Sequence, residues 1–143
     1  MLNGDTYLAT DYRAVATTHA EYPGAIGTIV VSEVEDTARY GQVILDDAQR
    51  IIAFQEKTAA QGRGMVNAGA YVFSPHILDY IPPKENVSLE RTIFPALLQA
   101  GEPLYGFSIR ESFVDFGTPE GYHCLEEILH REMPAGDLSL IHI

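Results

Sequence analysis

Two aspartates sit where a carboxylate could do chemistry. Asp115 lies in Phe113-Val114-Asp115-Phe116-Gly117-Thr118-Pro119-Glu120, and Asp5 lies in Met1-Leu2-Asn3-Gly4-Asp5. A short apolar run delivers Asp115 to a strand end. Gly117 allows the turn there, and Thr118-Pro119 reads as an N-cap followed by proline at the first helical position. The mouth of a strand is where open α/β sheets bind ligands. Asp5 and Asp115 are therefore expected to meet in space around one metal ion. A hard divalent cation such as Mg²⁺ takes oxygen ligands, often one or two carboxylates completed by substrate phosphates and water. The competing role is structural, because aspartates beside glycines are common in turns.

Three further groups of residues could bind a ligand. Glu56-Lys57 is a charged pair at the end of an apolar strand. Lys57 could hold a phosphate as a compact point charge and Glu56 could accept from sugar hydroxyls, or the two could be a surface pair of little consequence. Asn67-Ala68-Gly69 lies inside another apolar strand. The Asn67 amide needs partners there, from the backbone or from a ligand, and Gly69 permits close backbone approach. Arg39-Tyr40-Gly41 either opens a hairpin or presents a phenol and a backbone amide to a ligand. The histidines at 19, 76, 123, 130 and 142 lack metal-ligand spacing, and Cys124 has no activating neighbour that faces it. There is no serine nucleophile elbow, Walker loop or dinucleotide glycine fingerprint.

The elements that must position these groups can be read in order. Residues 10–21 read as a helix capped by Thr10 or Asp11 and ended by Pro23-Gly24. Residues 25–34 form a β-branched run typical of a buried strand. Residues 42–45 and 50–55 read as a hairpin, followed by a glycine-rich loop and an alternating strand over 65–74. A short helix starts at Pro75 and must stop before Pro82-Pro83. A second helix over 89–100 is capped by Ser88, with Glu90 near its positive end and Gly101 as C-cap, and Pro95 should kink or divide it. Strands at 104–109 and 112–116 precede a last helix from Pro119 to about Arg131. Residues 137–143 show no assignable period. The pattern predicts one α/β domain, with a mixed, mostly parallel sheet flanked by helices.

The 143 residues carry a formal charge of −11, from 9 Lys+Arg against 20 Asp+Glu, and are 46% hydrophobic. That balance leaves no basic patch to neutralise phosphates, so nucleic acid is an unexpected partner. No apolar run approaches the roughly 20 residues of a membrane helix, and the first residues do not read as a signal peptide. The single Cys124 excludes an internal disulfide and fits a cytoplasmic setting.

Six segments in this order resemble sugar-1-phosphate nucleotidyltransferases of the mannose-1-phosphate or heptose-1-phosphate guanylyltransferase type. They are Leu2-Asn3-Gly4-Asp5, Arg39-Tyr40-Gly41, Phe54-Gln55-Glu56-Lys57, Asn67-Ala68-Gly69-Ala70-Tyr71, Ser88-Leu89-Glu90 and residues 113–120. The resemblance implies a Rossmann-like nucleotide-diphospho-sugar transferase fold. It implies metal binding by Asp5 and Asp115, with Mg²⁺ as cofactor. It also implies a grip on the sugar phosphate by Glu56 and Lys57, and sugar contacts from Asn67 and the Gly41 backbone. The substrates would be a sugar 1-phosphate and a nucleoside triphosphate, with GTP favoured, giving a nucleotide-sugar and pyrophosphate. The family's N-terminal glycine-rich nucleotide-binding loop has no match here. The chain is thus expected to be the C-terminal, sugar- and metal-binding portion of a longer enzyme, inactive alone, with 137–143 as an unassigned tail. The alternative is a non-catalytic sugar-phosphate-binding relative or regulatory subunit, and a homo-oligomer is compatible with either.

Overall fold

The computed structural model of the chain describes residues 1–38, 40–55, 62–110, 113–116, 121, 123–125, 127 and 128, and only the main chain of Asp115. A five-stranded sheet has the order β4-β3-β5-β2-β6, and a two-stranded ribbon pairs β1 with β7. Its strands are β1 Thr6–Leu8, β2 Gly27–Val34, β3 Gln42–Leu45, β4 Ile51–Gln55, β5 Gly64–Phe73, β6 Leu104–Ile109 and β7 Phe113–Asp115. The named elements also include helices α1 Tyr12–Glu21 and α2 Phe94–Gln99 and short turns at Pro75–Tyr80 and Leu89–Ile93. Among the described residues no helix is long and apolar enough to cross a membrane.

The β-branched run forms the central strand because it is covered on both faces. Successive side chains of a strand point to opposite sides. Ile29 and Val31 enter one core with Ile93, Phe94 and Leu97, while Val30 enters a second with Leu8, Val15 and Ala68. Ile29, Val30 and Val31 are all fully inaccessible. A strand buried on both sides loses its polar alternation and reads as a continuous hydrophobic run.

The sheet is mixed, but the expectation that it is mostly parallel is corrected. β2 runs parallel to β6, whereas β2–β5, β3–β4 and β3–β5 are antiparallel. The β3–β4 link, residues 46–50, is too short for the crossover that parallel neighbours require. That turn also folds across to the opposite edge of the sheet. Gly106 N–H donates to the Gln49 carbonyl at 2.8 Å, and Arg50 bridges to Tyr105. A Cβ on Gly106 would lie 2.7 Å from Leu45 Cδ2, so the absence of a side chain permits this approach. Part of the β6 edge is thereby covered.

Pro95 divides the helix over 89–100, as its missing N–H and ring require. Leu89–Ile93 forms a wide π turn in which Phe94 N–H donates to the Leu89 carbonyl, and α2 follows. The helix ends in a Schellman motif. Gly101 has φ +76°, its N–H donates to Leu98 O at 3.0 Å, and Glu102 N–H donates to Leu97 O at 3.0 Å. In α1, Asp11 caps by accepting from Arg13 N–H at 2.9 Å and Ala14 N–H at 3.2 Å. The described residues from 121 to 128 are helical, while the Thr118-Pro119 cap and residues 137–143 lie outside the described residues.

Helix α1 reaches β2 through His19, whose Nδ1 lies 2.8 Å from the hydroxyl of fully buried Thr28. Burial lowers the His19 pKa from its ordinary 6.5. The unfolded chain then binds the proton more tightly than the folded one, so stability is lost as pH falls through and below 6.5. In melting curves taken across that range, His19→Gln is expected to show a shallower fall in Tm with acidification than the unsubstituted protein.

Candidate active site

The site is organised by an irregularity in β5. Register between β2 and β5 shifts between the pairs Ile29–Tyr71 and Val31–Asn67, leaving residues 68–70 of β5 unpaired with β2. Gly69 takes the left-handed conformation there, φ +76°, which costs a glycine little. The freed main chain is taken by residues 1–3. Asn3 N–H donates to Gly69 O at 2.8 Å, Tyr71 N–H donates to Met1 O at 2.9 Å, and Leu2 bridges to Ala70. This seam carries Asn3, Asp5 and Thr6 to the side of β5 where Asn67 lies.

A cavity of ≈ 430 Å³ opens there. Asp5, Gly41 and Asn67, from three of the segments singled out above, all line it. Gly41 sits where the β3–β4 hairpin begins, and a Cβ on it would come within 3.1 Å of Gln55 O. Asp5 is exposed on the cavity wall. The β1–β7 ladder sets Thr6 opposite Asp115, and Phe116 N–H donates to Asp5 O at 2.9 Å. The main chains of the two aspartates are therefore adjacent. Glu56 and Lys57 lie outside the described residues; they follow Gln55, itself part of the cavity lining. Arg39 also lies outside them.

Residues 1–132 match the nucleotidyl transferase family. The chain belongs to that family. Among curated relatives of this chain, the UTP–glucose-1-phosphate uridylyltransferase of Synechocystis is 34% identical over 138 residues, 93% of this chain and 35% of the relative. The mannose-1-phosphate guanylyltransferase of Mycobacterium tuberculosis is 35% identical over 123 residues, 85% of this chain and 34% of the relative. Among solved structures, HddC from Yersinia pseudotuberculosis complexed with GMP-PN superposes with TM-score 0.73 at 29% identity, over 90% of this chain and 53% of that one. A putative glucose-1-phosphate thymidylyltransferase from Bacillus anthracis, in complex with sucrose, shares the fold, with TM-score 0.74 at 18% identity over 93% of this chain and 54% of that one. The chain thus spans about a third of the length of these curated relatives.

The cavity wall also contains Asn3, Glu90 and Arg91, whose part in the site is not apparent from the sequence. Glu90 reads from sequence as a favourable charge at a helix start. In the fold Ser88 supplies the cap, accepting from Arg91 N–H at 3.2 Å, and the Glu90 carboxylate instead accepts from Asn67 Nδ2 at 2.6 Å. The available signal was the pairing of a capped helix start with Pro95 five residues beyond Glu90, which keeps the first turn wide. Phe54 stacks on Phe94 at 5.4 Å beneath this turn.

Asn67 is held from three directions. Nδ2 donates to Tyr71 Oη at 2.8 Å as well as to Glu90, and Oδ1 accepts from Gly69 N–H at 3.0 Å. Tyr71 is nearly buried, and loss of water pushes its phenol pKa up. Hydrogen bonds from Asn67 and Asn3 oppose that rise, while the charges of Glu90 and Asp5 reinforce it. The phenol therefore serves neutral pH as an uncharged hydrogen-bonding anchor. Among the described residues no three His, Cys, Asp or Glu side chains converge as a metal cluster.

Gly69 fixes this arrangement sterically as well as through its φ. A Cβ at 69 would lie 3.0 Å from both Asn3 Nδ2 and Thr6 Oγ1. Gly69→Ala is expected to lower stability by roughly 1–2 kcal/mol from the left-handed conformation alone, and to disturb Asn3. Denaturant melts measure the first effect, and loss of the Asn3 side-chain amide signals from their native positions in NMR spectra measures the second.

Proposed function

We propose that this chain forms the sugar-phosphate- and metal-binding portion of a cytoplasmic sugar-1-phosphate nucleotidyltransferase, built on a Rossmann-like nucleotide-diphospho-sugar transferase fold. The reaction joins a sugar 1-phosphate to GTP and releases pyrophosphate. The observation that carries this reading is the cavity that gathers Asp5, Gly41 and Asn67 from distant segments, with the Asp115 main chain beside Asp5. The guanylyltransferase relatives and the HddC complex with GMP-PN favour GTP, and the uridylyltransferase relative makes UTP the competitor to test against it.

The donor atoms on this part of the wall suit a hard cation. Asp5 offers an exposed carboxylate, and Thr6 beside it offers a hydroxyl, with no thiolate or imidazole among the cavity-lining residues. Asp5 and Asp115 would hold Mg²⁺, which would offset the repulsion between two anionic substrates. Lys57 holds the sugar phosphate and keeps its attacking oxygen in line with the α-phosphorus of the nucleotide. Glu56 and Asn67 take sugar hydroxyls, and the Gly41 backbone, unobstructed by a side chain, approaches the ring. Catalysis by these residues is positioning combined with charge neutralisation. The segments that carry the resemblance include no glycine-rich nucleotide-binding loop, so this chain alone is expected to bind sugar phosphate without releasing pyrophosphate.

Calorimetric titration of the chain with mannose 1-phosphate tests the reading. Binding is expected to strengthen with Mg²⁺, to weaken at least about tenfold in Lys57→Ala, and to lose its Mg²⁺ dependence in Asp5→Asn and Asp115→Asn. Joined to a glycine-rich nucleotide-binding segment, the protein should release pyrophosphate faster with GTP than with UTP. Binding indifferent to both Lys57 and Mg²⁺ overturns the assignment.

A further inference from the structure

The wall of the cavity around Asn67 has an unusual hydrogen-bonding polarity. A primary amide has two hydrogens to donate and one oxygen to accept. Both Asn67 hydrogens are engaged, one by Glu90 Oε1 at 2.6 Å and one by Tyr71 Oη at 2.8 Å. The orientation of the amide follows from the network, because Gly69 N–H can donate only to the oxygen, at 3.0 Å. Asn67 is thus left with a single open valence, the second lone pair of Oδ1. Beside it, the exposed Glu90 carboxylate has one oxygen outside the Asn67 bond and further lone pairs on both. The Asn67–Glu90 pair therefore presents acceptors and no donor to the cavity.

We propose that Glu90 is a specificity-determining residue that accepts a hydrogen bond from one ring hydroxyl of the sugar, and that Asn67 positions its carboxylate. The inference rests on the sugar-phosphate reading above. A hydroxyl that docks on this pair must donate. A substituent without a hydrogen to give, such as a deoxy or fluoro group, leaves the carboxylate lone pairs that face the cavity desolvated, with no donor from the sugar to add to the Asn67 bond. A site built to bond a hydroxyl discriminates strongly against an analogue that lacks it. An anionic substituent at the same ring position is repelled. The geometry also changes what Asn67 can do: it reaches substrate only by accepting through Oδ1, and its donors are committed to holding Glu90 over the cavity.

The experiment titrates the chain, in Mg²⁺, with mannose 1-phosphate and with its 2-, 3-, 4- and 6-deoxy analogues, comparing the unsubstituted protein with Glu90→Gln and Glu90→Ala. Glu90 is exposed, and thermal melts verify that both variants fold. The unsubstituted protein is expected to bind one deoxy analogue about 10–100-fold more weakly than the parent sugar. Both variants should lose affinity for the parent sugar while binding that analogue as before, which erases the discrimination at that one ring position. A purely structural role for Glu90 would weaken parent and analogue alike, and that result overturns the proposal, as does unchanged discrimination. Absence of any binding by the unsubstituted protein overturns the sugar-phosphate reading itself, and this inference falls with it; intact binding with unaltered discrimination overturns this inference alone.

Discussion

The register break in β5 is the constraint from which the rest of the site follows. An uninterrupted antiparallel ladder would keep residues 68–70 of β5 in register with β2, their main-chain groups pointing alternately to the strands on either side. Because β5 departs from that ladder, Gly69 and Tyr71 direct their main-chain groups to the segment 1–3 instead. Backbone polar groups in a protein interior must be paired, so the bulge is stable only with that segment in place. The same seam delivers Asp5 to the cavity, and the short β1–β7 ladder then brings the main chain of Asp115 beside it. Two segments separated by most of the chain are joined through one glycine that tolerates a left-handed conformation.

Around this seam the packing is conservative. β2 divides the interior into two cores, one under α2 and one under α1, and its continuous hydrophobic run suits a strand with no wet face. The hairpin of β3 and β4 curls over so that its turn meets β6, and it contributes Gly41 and Gln55 to the rim of the cavity. The wide turn before Pro95 has two effects. It absorbs the missing N–H of the proline, and it sets Glu90 where the carboxylate meets Asn67. A feature required by backbone chemistry thus also orients a polar side chain in the site.

The cavity combines acidic and amide groups in a network with few open valences. Asn67 has both donors engaged, and the Tyr71 phenol is kept neutral by burial. Such a network is rigid because each member is fixed by at least one other. A sugar ring, with hydroxyls on every side, is recognised by an arrangement of this kind through the direction in which each hydroxyl must point. On the function proposed above, the cavity would offer such an arrangement to the hydroxyls of the sugar.

Local chemistry made much of the architecture readable from the amino acids. Asp11 caps its helix through its own side chain, Pro95 interrupts because it lacks an N–H, and Gly101 ends α2 because it accepts positive φ; none of these needs a distant partner. The β-branched run announced a strand buried on both sides, and six short segments in order announced the family. Strand direction was not readable, since parallel and antiparallel neighbours differ in how distant segments meet and not in the side chains of either one. Nor was the role of Glu90, whose partner Asn67 lies on another element. Its value at a helix start is a local electrostatic effect, whereas its place in the site depends on a bulge in β5 and a wide turn coming together across the cavity. Hydrogen bonds between remote side chains leave no periodic trace in a sequence, because their geometry exists only once the chain has closed on itself.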